Sequence, residues 1–383
     1  MQRSLGLVCL GVLASPLPAT ETAEDLRISG FLTQAHGQSS TGRIQGATKD
    51  GTTDLRNVAV QFRWEKSERD TVVVQLSHEK RGDDLFFPDG DEVEIDWAFY
   101  ELRIRELTVI KVGRLNVPLG IYNEIRDVGT LLPFFELPVS FYAGVLSSAE
   151  TVDGISFSHT FAPRSEWALE AEAYHGGWDT FQQQVDLESD FGIVNLEARA
   201  EQGLGLQLWL QTPIRGLRIG GGTLTWLLHG PLSMPGRKDR WQSDHLSLDL
   251  TGERWMLRAE RRQWRFDQDF GAFLNLPVSL PGRAQRDGLY VQLGGWVTPR
   301  VGLFAQFDEA SLEDNLGLLP QLDDFHEDLA LSFNYRVRPD LVIKVEHHDA
   351  STRFPLGTPD QPMGVGSDPV DVTWTIASLS VSF

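Results

Sequence analysis

Residues 372–383 read VTWTIASLSVSF, with Thr375, Ala377, Leu379, Val381 and Phe383 on one side of an extended chain and Ser378, Ser380 and Ser382 on the other. An apolar stripe of period two opposite a polar one suits a β-strand with lipid on one face and water on the other. The same alternation returns along most of the chain, for example at Val58, Val60, Phe62 and Trp64, at Leu204, Leu206, Leu208 and Leu210, and at Leu329, Leu331, Phe333 and Tyr335. The pattern predicts an all-β transmembrane barrel. A soluble β-sandwich is the alternative, but it leaves the spacing of the connections unexplained.

Those connections come in two lengths. Short ones fall at 67–70, 105–107, 162–166, 213–216, 251–253, 298–300 and 338–340. Long ones fall at 37–53, 82–92, 116–150, 177 to about 202, 230–240, 267–285, 310–326 and 351–369. Short turns on one side and long loops on the other are the asymmetry of an outer-membrane barrel. Seven turns and eight loops imply about 16 antiparallel strands, with the turns periplasmic and the loops external. Residues 190–200 read either as strand or as loop. From Glu94 to Arg103 the charges change parity, so a regular strand would turn one pair to lipid; Glu101 and Arg103 are expected in the lumen, with Glu94 and Asp96 near the outer mouth or beyond a bulge.

Arg3 and the apolar run from Leu5 to Leu17 read as a secretory leader, residues 1–23, cleaved between 19 and 23, ahead of a barrel spanning 24–383. The run is too short to cross a bilayer core of about 30 Å as a helix. Cys9, the chain's one cysteine, lies inside it, which excludes a disulfide framework. A net charge of −20 disfavours nucleic acid as a partner. With 11 Trp and 21 Phe the acidity is not that of a disordered chain either.

The longest connection differs from the rest. From Val112 it runs VGRLNVPLGIYNEIRDVGTLLPFFELPVSFY, apolar and proline-punctuated where an exposed loop should be polar. It is expected to fold into the lumen, with Leu131, Leu132, Phe134 and Phe135 packing inward, and Glu124, Arg126, Asp127 and Glu136 narrowing the passage and setting its field. The inward face of the wall is expected to include Glu101, Arg103, Lys111, Arg258, Glu260 and Arg262, with loop carboxylates opposite Arg103, Arg258 and Arg262.

This stretch, together with LWLQTPIRGLRIG from Leu208, the opening strand Leu26–Leu32 and the final Phe383, resembles Gram-negative outer-membrane porins, in particular a porin-like family grouped with phosphate-selective porins. The resemblance spans nearly all of the chain after the leader and is most specific from Val112 onward. It implies a 16-stranded diffusion channel, a homotrimer, a third loop that forms the constriction, and Phe383 as the signal read by the barrel-assembly machinery. Phosphate selectivity does not carry over, because no lysine and arginine ladder matches and the chain is acidic.

Other chemistry finds little footing. Alternation separates His159 from Ser156 and Ser158, and His347 from His348, so neither a hydrolase triad nor a chelating pair forms on a regular strand. The sequence therefore predicts no enzyme, no cofactor and no metal site. Acidic clusters at Asp83–Asp84, at Asp89, Asp91 and Glu92, and at Asp323–Asp324 read as solvated loop tips or as cation bridges to lipopolysaccharide phosphates. Gly220–Gly222 reads as a close-packing or bending point. A passive porin is the leading function, a structural or adhesive barrel with a closed lumen the second, and a phospholipase-like barrel a remote third. The expected surroundings are outer-membrane lipid and lipopolysaccharide.

Overall fold

The computed structural model describes residues 25–82, 92–142, 150–187, 192–229, 239–269, 281–314, 322–353 and 368–383. The expected leader and the clusters at 83–91 lie outside the described residues, as do the side chains of Asp323 and Asp324. The barrel begins with β1 (Leu26–Ser39), followed in the first loop by the two-residue strands β2 (Arg43–Ile44) and β3 (Ala47–Thr48). The wall continues through β4 (Thr52–Glu65), β5 (Asp70–Arg81), β6 (Glu94–Arg105), β7 (Thr108–Asn116), β8 (Thr151–Phe161), β9 (Ala168–Leu187) and β10 (Gly192–Gln211). It is completed by β11 (Leu217–His229), β12 (Asp239–Thr251), β13 (Trp255–Asp269), β14 (Pro281–Trp296), β15 (Val301–Asp314), β16 (Leu322–Arg338), β17 (Leu341–Thr352) and β18 (Val370–Ser382).

Each wall strand pairs antiparallel with the next, and β18 returns to β1 from Phe31 opposite Ser382 to Ser39 opposite Trp374. Omitting the short β2–β3 hairpin, 16 strands close the sheet. Closure removes the unpaired edges that neither water nor lipid could satisfy. Phe383 extends the seam: its N–H donates to the Gly30 carbonyl at 3.0 Å, and the Gly30 N–H returns a bond of the same length. The outward face is the apolar one, with Ile28, Phe62, Leu206, Leu246, Leu331, Ile343 and Leu379 all exposed.

Two departures from the sequence reading, and one irregularity it anticipated, have local causes. Residues 177–187 and 192–202 belong to strands and not to a loop, because β9 and β10 run on together out to Leu187 opposite Gly192. Their glycines and polar residues break the apolar alternation, yet the backbone ladder continues past the lipid-facing rows. The parity change in β6 is absorbed by a bulge at Asp96: Gln75 faces Trp97 while Leu76 faces Ile95. That extra residue brings Asp96 onto the inward face, where the Gln75 amide donates to it at 2.7 Å. Finally, the first loop packs as a hairpin, burying Ile44 and Ala47 against Leu55, Trp374 and Ile376.

Candidate functional site

The chain leaves β7 at Asn116 and enters the barrel. Val117, Leu119, Ile121, Leu132, Phe134 and Phe141 are buried there, through a 3-10 turn at Asn123–Ile125 and a single helical turn at Val139–Tyr142. Leu131, expected to pack inward with its neighbours, is instead exposed, because the chain turns between Val128 and Leu131 and brings only Leu132 onto the packed side.

Wall side chains fasten this loop by its backbone. Glu346 accepts from the N–H groups of Phe135 (2.6 Å) and Glu136 (3.3 Å), Asp308 from Ser140 N–H (3.1 Å), and Glu260 from Ile121 N–H (3.0 Å). Basic and neutral donors answer the carbonyls: Arg262 to Phe141 (2.7 Å), Arg286 to Val139 (3.0 Å), Lys344 to Phe134 (3.2 Å), and Ser332 and Asn334 to Pro133. Such pairing is needed because an irregular segment offers its own amides no partners. Glu260 also accepts from the hydroxyls of Tyr142, Tyr290 and Ser247. Gly120 turns the chain around this carboxylate at φ 61°, and a Cβ there would stand 2.6 Å from Glu260 Oε1 and 2.7 Å from the Phe141 ring. Only glycine accepts both the backbone and the contact.

The loop divides the lumen. On β13–β17 beneath it, Glu260, Arg262, Asp308, Lys344 and Glu346 are at most 1% exposed. On the opposite wall Arg63, Glu101, Arg103, Lys111 and Glu172 keep 12–48% of their side-chain surface. Of the residues predicted to line the lumen, Glu101, Arg103 and Lys111 therefore face solvent, whereas Glu260 and Arg262 are consumed in holding the loop. Arg258 is intermediate, donating to Asp249 (3.1 Å) and to the Tyr122 hydroxyl (2.9 Å).

The expected opposition of loop carboxylates to Arg103, Arg258 and Arg262 does not form, since those three guanidiniums are bound to Glu101, to Asp249 and Tyr122, and to Ser243 and Phe141. The loop's charges meet β4 and β5 instead. Asn57 donates to Asp127 at 2.9 Å; Glu150 bridges Arg126 (2.9 Å) and Arg81 (3.5 Å); Arg81 also meets Glu79 at 2.8 Å. Between loop and wall lies a cavity of about 90 Å³, lined by Thr33, Asn57, Glu79, Arg81, Arg126, Asp127 and Glu136 and backed by Leu55, Leu132 and Phe135. Arg56 and Lys80 line it too, so that with Glu150 the cluster holds four carboxylates against four cations. Burial, with Glu79 and Glu150 adding negative charge beside it, pushes the Asp127 carboxyl up to about 7. Burial presses on Glu150 too, but Arg126 and Arg81 outweigh it and hold that carboxyl below the usual range. Glu124 stands apart, exposed on the side of the loop whose charged neighbours are Lys111, Glu172 and Arg218.

Sequence reading missed Arg81, Asn57, Glu150 and the fastening carboxylate Asp308, and the loop-holding role of Glu346. Their inward parity was legible, but any lumen residue shares that parity. His348 faces inward, donating or accepting between Asp328 (2.7 Å) and Glu346 (3.3 Å), while His347 faces out to Thr375; Ser156 and His159 likewise take opposite faces.

No family model matches the chain, and no curated protein matches it. Solved structures do. The outer-membrane channel DcaP of Acinetobacter baumannii superposes with a TM-score of 0.61 at 8% identity, covering 94% of this chain and 97% of that one. OmpF of Salmonella typhi, in complex with daunomycin, superposes with a TM-score of 0.61 at 11% identity over the same shares. An anion-selective porin from Comamonas acidovorans superposes with a TM-score of 0.58 at 11% identity, covering 94% and 99%. The chain thus has the fold of Gram-negative outer-membrane porins.

Proposed function

We propose that the protein is an outer-membrane porin that lets small hydrophilic solutes and ions diffuse through the solvated half of its barrel, past a constriction set by Arg126, Asp127 and Glu136 of the loop and by Glu79 and Arg81 of the wall. The observation that carries this reading is the division of the lumen, with buried, loop-bound charges on one wall and water-exposed charges on the other. Glu124 faces the solvated wall below the constriction. The charges at the constriction balance, and the chain's net charge of −20 tips the passage towards cations. A homotrimer fits this reading, since V. cholerae OmpT, a similar fold, has a structure described as a trimer form.

Planar-bilayer recording under asymmetric KCl tests it. Open-channel current with a cation-sided reversal potential is expected; an absence of conductance would favour the closed structural barrel, which the apolar packing of Tyr174, Trp178, Trp226, Trp241 and Phe266 against the loop also suits. Glu124→Gln with Asp127→Asn should lower the cation preference, most clearly near 0.01 M salt, where the Debye length is about 30 Å. An unchanged reversal potential would place these groups outside the ion path.

The pH dependence has a definite sign. With its carboxyl at about 7, Asp127 is charged above that pH and neutral below it, so cation preference should fall as pH drops from 8 to 6. Asp127→Asn alone should abolish this step. A step of equal size in that variant would assign the titration to another group.

A further inference from the structure

Every one of the seven short connections carries an arginine, either in the turn or as the strand residue leading into it: Arg69, Arg105, Arg164, Arg215, Arg254, Arg300 and Arg338. All seven are exposed. Only two have an ion-pair partner among the described residues, Arg215 with Glu253 (3.5 Å) and Arg338 with Asp340 (3.3 Å). Counting one flanking strand residue at each end, the turns hold eight cations against seven carboxylates, whereas the long connections hold seven against eighteen. In a chain of net charge −20 the turn end of the barrel is thus locally basic.

A second feature gives this ring a depth. The exposed tryptophans Trp64, Trp167 and Trp255, with Phe161, all sit where the outward apolar face meets the turns. Aromatic side chains on a barrel exterior mark the boundary between hydrocarbon and headgroups. Arg254 directly precedes Trp255, Arg164 lies three residues from both Phe161 and Trp167, and Arg69 lies five from Trp64, which puts these arginines on the turn side of that boundary. A guanidinium binds phosphate oxygens through paired N–H donors, and several around one rim attract an anionic surface jointly.

We propose that the seven turn arginines form a ring that recruits anionic phospholipid headgroups of the inner leaflet around the barrel. This rests on the outer-membrane reading above. Arg69, Arg105, Arg164, Arg254 and Arg300, which have no carboxylate partner in the ion pairs described, supply most of the attraction. Arg215 and Arg338 contribute less because Glu253 and Asp340 already neutralise them.

The lipid-facing tryptophans supply the readout, because they all lie at this end. The full chain is reconstituted in phosphatidylcholine vesicles containing brominated phosphatidylglycerol or brominated phosphatidylcholine, and tryptophan quenching is compared. At low salt, quenching by the brominated phosphatidylglycerol should be favoured about threefold, and the preference should approach unity at high salt. R69Q/R105Q/R164Q/R254Q/R300Q should show no preference at either salt while keeping its heat-modifiable mobility. The wild-type salt series stands even if that variant does not assemble. Equal quenching by both lipids in wild type at low salt would overturn the proposal and leave the membrane reading intact, whereas no quenching by either would overturn the membrane reading itself. If the variant keeps the lipid preference but loses co-sedimentation with purified peptidoglycan, the ring serves cell-wall carboxylates and the lipid assignment falls.

Discussion

Glu260→Ala is expected to release the loop from the wall without opening the barrel. The carboxylate accepts from Ile121 N–H and from the hydroxyls of Tyr142, Tyr290 and Ser247, all buried. Leaving a buried donor without its partner costs about 1–3 kcal/mol. The three hydroxyls lose their acceptor while Ile121 N–H keeps the Tyr142 oxygen at 2.9 Å, so the loss is of order several kcal/mol, concentrated where the loop re-enters after Gly120. The other fastenings, at Asp308 and Glu346, lie further along the loop, so the segment around Ile121–Tyr122 detaches first. Arg258 would lose its Tyr122 contact and keep Asp249. In bilayers this variant should show larger and noisier unit conductance than the wild type, with wild-type heat-modifiable mobility of the folded barrel. Glu260→Gln, which keeps one acceptor oxygen but sets an amide against hydroxyl donors, should fall between the two. Quiet wild-type currents from Glu260→Ala would mean that the loop is held by its apolar packing, and that the carboxylate only satisfies its neighbours.

Replacing Leu331 by arginine should affect folding itself. Leu331 faces outward on β16 between Ala305 and His347, and is 59% exposed, with Leu329 and Phe333 on the same stripe. An arginine on the lipid face costs about 2–4 kcal/mol near the bilayer midplane and little near the interfaces. The adjacent residue supplies the contrast. Ser332 points inward and donates to the Pro133 carbonyl at 2.9 Å, so Ser332→Ala removes one hydrogen bond, worth about 1 kcal/mol, and leaves the lipid face untouched. Urea unfolding from vesicles should therefore separate two neighbours by several-fold in effect. Equal destabilisation would mean that the outward stripe of β16 does not meet lipid.

The sequence by itself determined the class of the fold, the number of strands and the face each residue takes. These are local properties: a strand between lipid and lumen must alternate with period two, as Leu329 to Tyr335 and Thr375 to Phe383 do, and turns and loops separate by length alone. It also marked the segment after Asn116 as buried, because an apolar loop must find a protein wall. Where the two faces lose their contrast the reading failed, as in residues 177–187 and 192–202, which continue β9 and β10 beyond the apolar rows, whereas at Asp96 the change of charge parity pointed to a bulge or to the outer mouth, and pairing with β5 decides for the bulge. Only the tertiary structure decided which inward charges meet water and which hold the loop. Glu260 and Glu101 both take the inward face and have the same chemistry, yet one is buried under Tyr142 and the other faces the solvated lumen. The difference comes from contacts such as Ile121 with Glu260 and Phe135 with Glu346, between residues more than a hundred positions apart, and a contact of that separation leaves no period in the chain that either partner could betray.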